Sequence, residues 1–267
     1  MSAGGPLRET NPLRRFHGTG TMTLLFFLFL YIPIFVLFAL SFNAGSTATI
    51  WKGFSFSWYA SVADNPDIIR SAQNSLIVAS AATVFSTLLA TLAALGMDRA
   101  RFTGTSAIAG VIALPLIVPE IVTAVASLIF FVGIGLRLGL GTVILAHTVF
   151  CIPFAYLPIK ARLEGMPAAY REAAADLYAD EWHTFRRITL PLLWPGILSG
   201  AMLAFITSLD DFVTTFFVAG PGSSTLPLYI FTSVRIGISP EVNAISAIML
   251  GISIVFVAAS MFIGRKG

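Results

Sequence analysis

An all-α polytopic membrane protein is the fold class this sequence predicts, and three observations carry that expectation. The chain is 57% hydrophobic and only 11% charged, whereas soluble domains carry roughly a quarter charged residues. Several apolar runs reach the roughly 20 residues that a helix needs to cross a bilayer. The Lys and Arg residues fall unevenly on the two sides once those runs are threaded through a membrane. Six spans follow, at roughly 21–42, 71–96, 106–132, 142–159, 193–218 and 241–263. They define a single six-helix transmembrane domain over 21–263, with tails at 1–20 and 264–267.

The first span follows Arg14 and Arg15, as a secretory signal would. Its apolar run is too long for a signal core and no Ala-x-Ala site follows, so it reads as a retained helix. The outer segment from Asn43 to Arg70 crowds Trp51, Phe54, Phe56, Trp58 and Tyr59 together. Two readings stay open for it: an aromatic belt at headgroup level, or a surface that meets a partner or lines a pore mouth, with Trp58 and Tyr59 as its candidates. In the third span Pro115 and Pro119 are expected to break the helix and free carbonyls around Glu120. The fourth span holds the single Cys151, read as a small core residue. With one cysteine there is no disulfide framework, and His17, His147 and His183 are scattered without metal-ligand spacing.

Topology accounts for the basic pI near 9.2 without a nucleic-acid partner. Twelve basic residues share one side: Arg8, Arg14 and Arg15 in the tail, Arg99 and Arg101, five between Lys160 and Arg187, and Arg265 with Lys266. Lys52, Arg70, Arg137 and Arg235 occupy the other. Both termini and the 160–191 segment are therefore expected in the cytoplasm.

That segment is polar and charged between apolar neighbours. Pro167 can open a short helix that Glu172, Ala173, Ala174 and Ala175 continue. A second short helix is expected from Asp180, with Asp180 and Glu181 at its positive end and Arg186 and Arg187 at its negative end. Trp182, Phe185 and Ile188 fall three apart, which puts them on one face. Glu172-Ala173-Ala174, Leu177-Tyr178-Ala179 and Ile188-Thr189-Leu190-Pro191 together resemble the cytoplasmic EAA loop of permease subunits of bacterial ABC importers. That pattern runs Glu-Ala-Ala, three residues, Gly, nine residues, Ile-x-Leu-Pro, and Tyr178 stands where the Gly would be. The resemblance implies a helical elbow that docks on an ATPase subunit through Glu172, Ala173, Ala174, Leu177, Tyr178, Ala179, Glu181, Phe185, Leu190 and Pro191. Gly supplies a turn of positive φ cheaply, so with Tyr178 the elbow is either differently shaped or slightly strained. The only lysines are Lys52, Lys160 and Lys266, none in a phosphate-binding Gly-x-x-x-x-Gly-Lys-Ser/Thr run. ATP and Mg are thus expected on a separate polypeptide, with no cofactor bound by this chain.

Glu120, Asp210 and Asp211 lie within the expected spans. Buried charge in a bilayer is costly and defaults to function, and no Lys or Arg lies at matching depth. Three acids without bases suggest a path for a cationic solute. On a continuous helix Thr207 and Ser208 would sit below Asp211, with Thr214 and Thr215 above, making Asp211 the pore candidate; Asp210, flanked by Ile206 and Val213, would face a neighbouring helix or subunit. The candidate path is Glu120, Thr207, Ser208, Asp210 and Asp211, with Trp58 and Tyr59 at its mouth. Ser208-Leu209-Asp210-Asp211-Phe212, Gly220-Pro221, Leu226-Pro227, Ser239-Pro240-Glu241-Val242-Asn243-Ala244 and Pro119-Glu120-Ile121-Val122 resemble the second permease subunit of spermidine/putrescine importers. This resemblance implies a heterodimer with a second permease subunit, two ATPase copies and a periplasmic substrate-binding protein at a bacterial inner membrane. An amino-acid-like amine remains an alternative solute. An intramembrane transferase lacks a second acidic cluster, and a self-sufficient secondary transporter leaves the 160–191 segment unexplained.

Overall fold

A computed structural model describes residues 18–47, 50–99, 104–237 and 239–264. The N-terminal tail up to residue 17 and residues 265–267 lie outside the described residues. Helix α1 (Thr19–Leu40) is apolar on every side and touches α12 (Pro240–Gly264), as a lipid-facing span should be. Helix α2 (Ser57–Asp64) lies in the outer segment that was expected only as a loop. Helix α3 (Pro66–Arg99) starts five residues before the expected second span. Its 34 residues extend about 51 Å at 1.5 Å per residue, more than the hydrocarbon core alone requires.

The core is a bundle of α3, α6 (Leu140–Glu164) and α9 (Leu190–Asp210). Gly196, Gly200 and Ala204 recur at four-residue intervals and put a stripe of small residues on α9. A Cβ on Gly200 would come within 2.5 Å of the Ala155 carbonyl oxygen, and one on Gly196 within 2.6 Å of the Arg162 Cβ. The backbones of α6 and α9 therefore meet directly, as membrane helices do where close packing must replace a hydrophobic drive. Cys151 is buried at this crossing and directs its thiol at the Ala204 carbonyl, 3.5 Å away.

Two expected spans are not single helices. The third divides into α4 (Thr105–Ile117) and α5 (Glu120–Gly133), bent by 107°. The cause is local: Pro119 has no N–H to donate and pushes Val118 into the extended region, at φ −78° and ψ 134°. The fifth departs more from expectation. Helix α9 stops at Asp210, Asp211 is extended with ψ 127°, and a short helix α10 (Val213–Val218) restarts the chain. No proline marks this break. What holds it is the Asp211 carboxylate, which accepts the Thr214 N–H at 3.0 Å and so satisfies a donor at the start of α10.

Helix α7 (Ala169–Asp176) forms the first arm of the elbow. The second arm is not a separate helix, contrary to expectation. Helix α8 (Glu181–Thr184) passes through a π-helical turn at Phe185–Thr189 straight into α9, so one helix runs from Glu181 to Asp210. The wider turn also separates side chains that α-helical spacing would align. Trp182 and Phe185 stay together, ring centroids 5.8 Å apart, beside Leu92 and Leu95 of α3. Ile188 lines a different cavity with Tyr178 and Arg187. At the other end of the bundle from the elbow, α11 (Leu226–Ile236) is held to α3. The Leu226 N–H donates to Ser75 at 2.7 Å, and the Asn74 amide donates to the carbonyls of Gly222 and Ser224.

Candidate functional site

The two broken spans meet. Helices α5 and α10 pack on each other and on α6, which brings Glu120, the first residue of α5, against Asp211, just ahead of α10. Both acids thus stand at the N-terminal ends of half-helices, where unpaired N–H groups and the helix dipole favour negative charge. Such paired half-helix ends are the usual architecture of solute sites in membrane transporters.

His147 of α6 sits where the two breaks converge and is fully buried. Its Nδ1 lies 2.8 Å from the Ser208 hydroxyl at the end of α9, and its Nε2 lies 3.0 Å from the Thr215 hydroxyl of α10. The same Nε2 is 3.1 Å from Asp211 Oδ2. One imidazole therefore bridges both sides of the break. Asp211 Oδ2 is buried and has no hydrogen bond of good geometry; His147 Nε2 is beside it, and Glu120 and the Thr214 side chain also neighbour the carboxyl. Ser208, His147 and Asp211 do line up as hydroxyl, imidazole and carboxylate. Ser208, however, is only 4% exposed, which denies a nucleophile its substrate.

The remaining candidates fall elsewhere. Asp210, next in sequence to Asp211, points the opposite way. It is exposed, accepts the Ser253 hydroxyl of α12 at 3.2 Å, and lines an open cavity of about 370 Å³ with Phe212, Phe231 and Met249. Its contact with a neighbouring helix is the one expected of it. Asp211 differs from expectation, because the break takes it off the helical stripe and into the buried group around His147. Thr207 spends its hydroxyl on the Leu203 carbonyl of its own helix. Trp58 and Tyr59 are not brought to the acids. The indole N–H of Trp58 donates to the Asn43 carbonyl at 2.9 Å, the Tyr59 hydroxyl pairs with Ser41, and both rings pack against α11 and α12. The aromatics of that segment left exposed are Trp51, Phe54 and Phe56.

Sequence reasoning missed His147, which was weighed only as a metal ligand. Among the described residues no group of His, Cys, Asp and Glu could hold a metal ion. The signal that was available is the depth of a lone histidine within an apolar span, the same argument that singled out the acids.

At the opposite end of the helix that closes on Asp210, the elbow presents a second surface. Glu172, Ala173, Leu177, Tyr178, Ala179 and Glu181 are exposed, with Leu177 at 81% and Tyr178 at 98%. Ala174 is instead buried within the chain. Phe185 and Leu190 are half-buried beside α3, and Pro191 opens α9. Tyr178 adopts φ 57°. Its N–H donates to the Ala175 carbonyl and that of Ala179 to the Ala174 carbonyl, the double bond of a Schellman cap with Tyr in the position glycine usually takes. The elbow thus has its expected turn, and Tyr178 bears the strain. Asp180 then caps α8, accepting the His183 N–H at 2.6 Å; that bond and the His183 ring hold its carboxyl below the usual carboxylate range. Arg171 ties α7 to α3 by an ion pair with Asp98 at 2.8 Å.

Comparison with known proteins agrees with this anatomy. The family described as binding-protein-dependent transport system inner membrane component matches residues 86–265. The spermidine/putrescine transport system permease protein PotC of Escherichia coli (strain K12) is 39% identical over 246 residues, 92% of this chain and 93% of that protein. The putrescine transport system permease protein PotI of the same strain is 38% identical over 235 residues, 85% and 84% of the two chains. The fold is also that of a bacterial ABC transporter involved in the import of the acidic polysaccharide alginate, at TM-score 0.69 and 18% identity, covering 91% of this chain and 93% of that one. Matched in sequence across the bundle, the elbow and both broken spans, the chain belongs to the inner-membrane permease components of binding-protein-dependent ABC importers.

Proposed function

We propose that this permease forms half of the translocation path for a cationic small solute, with a polyamine of the spermidine/putrescine class as its substrate. The observation that carries the reading is the Glu120–Asp211 pair at the meeting of two broken spans. Two relatives whose names specify polyamines support the solute class. A transporter involved in the import of an acidic polysaccharide has the same fold, so selectivity for a cationic solute has to come from side chains such as these. A polyamine ammonium reaching Glu120, the half-exposed member of the pair, would meet carboxylate charge and no competing Lys or Arg from the half-helices α5 and α10.

The complex we infer contains a second, different permease subunit, two ATPase copies and a periplasmic binding protein. Both termini and the elbow lie in the cytoplasm in this reading, where the ATPase carries ATP and Mg. Residues 21–263 act as one transmembrane domain. ATP binding and hydrolysis on that subunit, transmitted through the elbow, would bias the bundle between outward- and inward-open states.

Neutralising the acids tests the path. Asp211→Asn and Glu120→Gln keep size and hydrogen-bonding capacity but remove an attraction on the order of 1–4 kcal/mol for a partly wetted ammonium. Uptake of labelled putrescine or spermidine, at matched membrane abundance, should fall tenfold or more in each variant. Uptake at the unmutated level in both would remove the carboxylate path and leave a permease for some other solute.

A further inference from the structure

A single buried side chain builds the segment between α1 and α2. Asn43 follows α1 and has no exposure. Its side-chain oxygen accepts the N–H groups of Gly45 at 3.1 Å and Lys52 at 2.8 Å. Its amide donates to the carbonyls of Thr47 at 3.1 Å and Ile50 at 2.7 Å. These bonds use both lone pairs and both N–H groups of the side chain. An antiparallel bridge from Asn43 to Phe54 closes the loop, and Gly53, at φ 130°, makes the return. The loop therefore has a built shape.

What that shape displays is apolar. Ile50, Trp51, Phe54 and Phe56 are each more than half exposed, and a clustered apolar surface of this kind marks a contact with something other than water. The rings continue a surface that begins on α1, a helix that buries none of its own residues. Phe38 of α1 stands 5.3 Å from Phe42 between ring centroids, and Phe42 stands 5.3 Å from Phe54 and 5.4 Å from Phe56. An unbroken aromatic strip thus runs from a lipid-facing span onto the loop. Lys52 is the only charged residue between 41 and 63. It is exposed, and its stem lies against Gly45, 3.2 Å from where a Cβ would stand.

We propose that this loop is a lipid anchor, with Trp51, Phe54 and Phe56 seated at the boundary of acyl chains and headgroups and Lys52 on a phospholipid phosphate. Aromatic rings settle at that depth, and a lysine stem can lie along apolar surface while its ammonium reaches the polar layer. The charge argues against a mouth for a cationic solute, since the loop offers one cation and no acid. The anchor has a mechanical use. Helix α1 has its main contact with α12, and the depth and tilt of a helix so lightly packed are set by interfacial anchors. Trp58 and Tyr59, next along the chain, serve the opposite side by packing against α11 and α12. This role does not depend on which solute is carried.

The test places the whole importer in vesicles of phosphatidylethanolamine and phosphatidylglycerol, with and without phosphatidylcholine brominated near the carbonyl end of its acyl chains. Emission of the unmutated importer minus that of Trp51→Phe isolates one of the four tryptophans of this chain. That difference should fall about twofold or more with the brominated lipid. Phe54→Trp should add emission that responds in the same way, and the solute-loaded binding protein should leave both responses unchanged. Absence of lipid quenching overturns the proposal, and acrylamide then identifies what replaces the lipid. Quenching by acrylamide alone means that the loop faces water, and quenching by neither means that a protein partner covers it. A lipid response that disappears when the binding protein is added makes the loop a docking surface, and that too overturns the anchor.

Discussion

Tyr178 shows how a single residue can depart from a family pattern without altering the turn that the pattern encodes. Its φ of 57° is a conformation that costs most L-residues roughly 1–2 kcal/mol and glycine almost nothing. The bonds from Tyr178 to Ala175 and from Ala179 to Ala174 hold it there, while the side chain, 98% exposed, gains no packing within the chain. Tyr178→Gly should therefore preserve assembly and transport and raise thermal stability by about 1 kcal/mol, read as the melting midpoint of the purified importer. A variant that lost ATPase association would show instead that the ring makes a specific contact. The sequence left two possibilities for this position, an altered turn or a strained one. It could not choose between them, because the choice depends on whether the flanking hydrogen bonds outweigh the strain. Asp210 and Asp211 posed a similar problem: neighbours on a helix already face different ways, but Asp211 reaches the buried group around His147 because its own backbone turns extended.

Helices show the same division between what periodicity reveals and what contact decides. The break at Val118–Pro119 was legible, because proline announces its missing donor. The break after Asp210 was not, since its agent is the bond that the Thr214 N–H donates to the Asp211 carboxylate, and no proline marks the position. The π-turn at Phe185–Thr189 was equally silent and undid the expected alignment of Ile188 with Trp182. The stripe Gly196, Gly200, Ala204 could have been read from its spacing alone. Its consequence is testable at Gly200, where a new Cβ would lie 2.5 Å from the Ala155 carbonyl oxygen. Backbone cannot yield as a flexible side chain does, so Gly200→Leu should force α6 and α9 apart and cost about 1–3 kcal/mol or more. Membrane abundance and detergent stability should fall together, and Gly200→Ala should be milder. Full stability of the Leu variant would mean that the crossing is looser than this structure shows.

Across the whole molecule, the long helix from Glu181 to Asp210 joins the elbow to the edge of the carboxylate group. Asp211 and Ser208 sit at its far end and the Schellman turn at its near end, so one continuous helix connects the elbow to the proposed solute site. The Arg171–Asp98 ion pair gives α7 a second hold, on α3. This anatomy separates two kinds of elbow residue that the sequence grouped together. Glu172 and Leu177 are exposed and available to the proposed ATPase, whereas Ala174 is 4% exposed and already packed within the chain. Glu172→Lys and Leu177→Asp should leave membrane abundance near the unmutated level while ATPase association and solute-stimulated ATP hydrolysis are lost. Ala174→Asp should also lower abundance, because burying an unpaired carboxylate costs several kcal/mol before any partner is involved. Co-purification of the ATPase, scored against the amount of permease recovered, distinguishes the two. Normal association in both surface variants would show that the elbow is not the docking surface, and the long helix would then have no motion to carry.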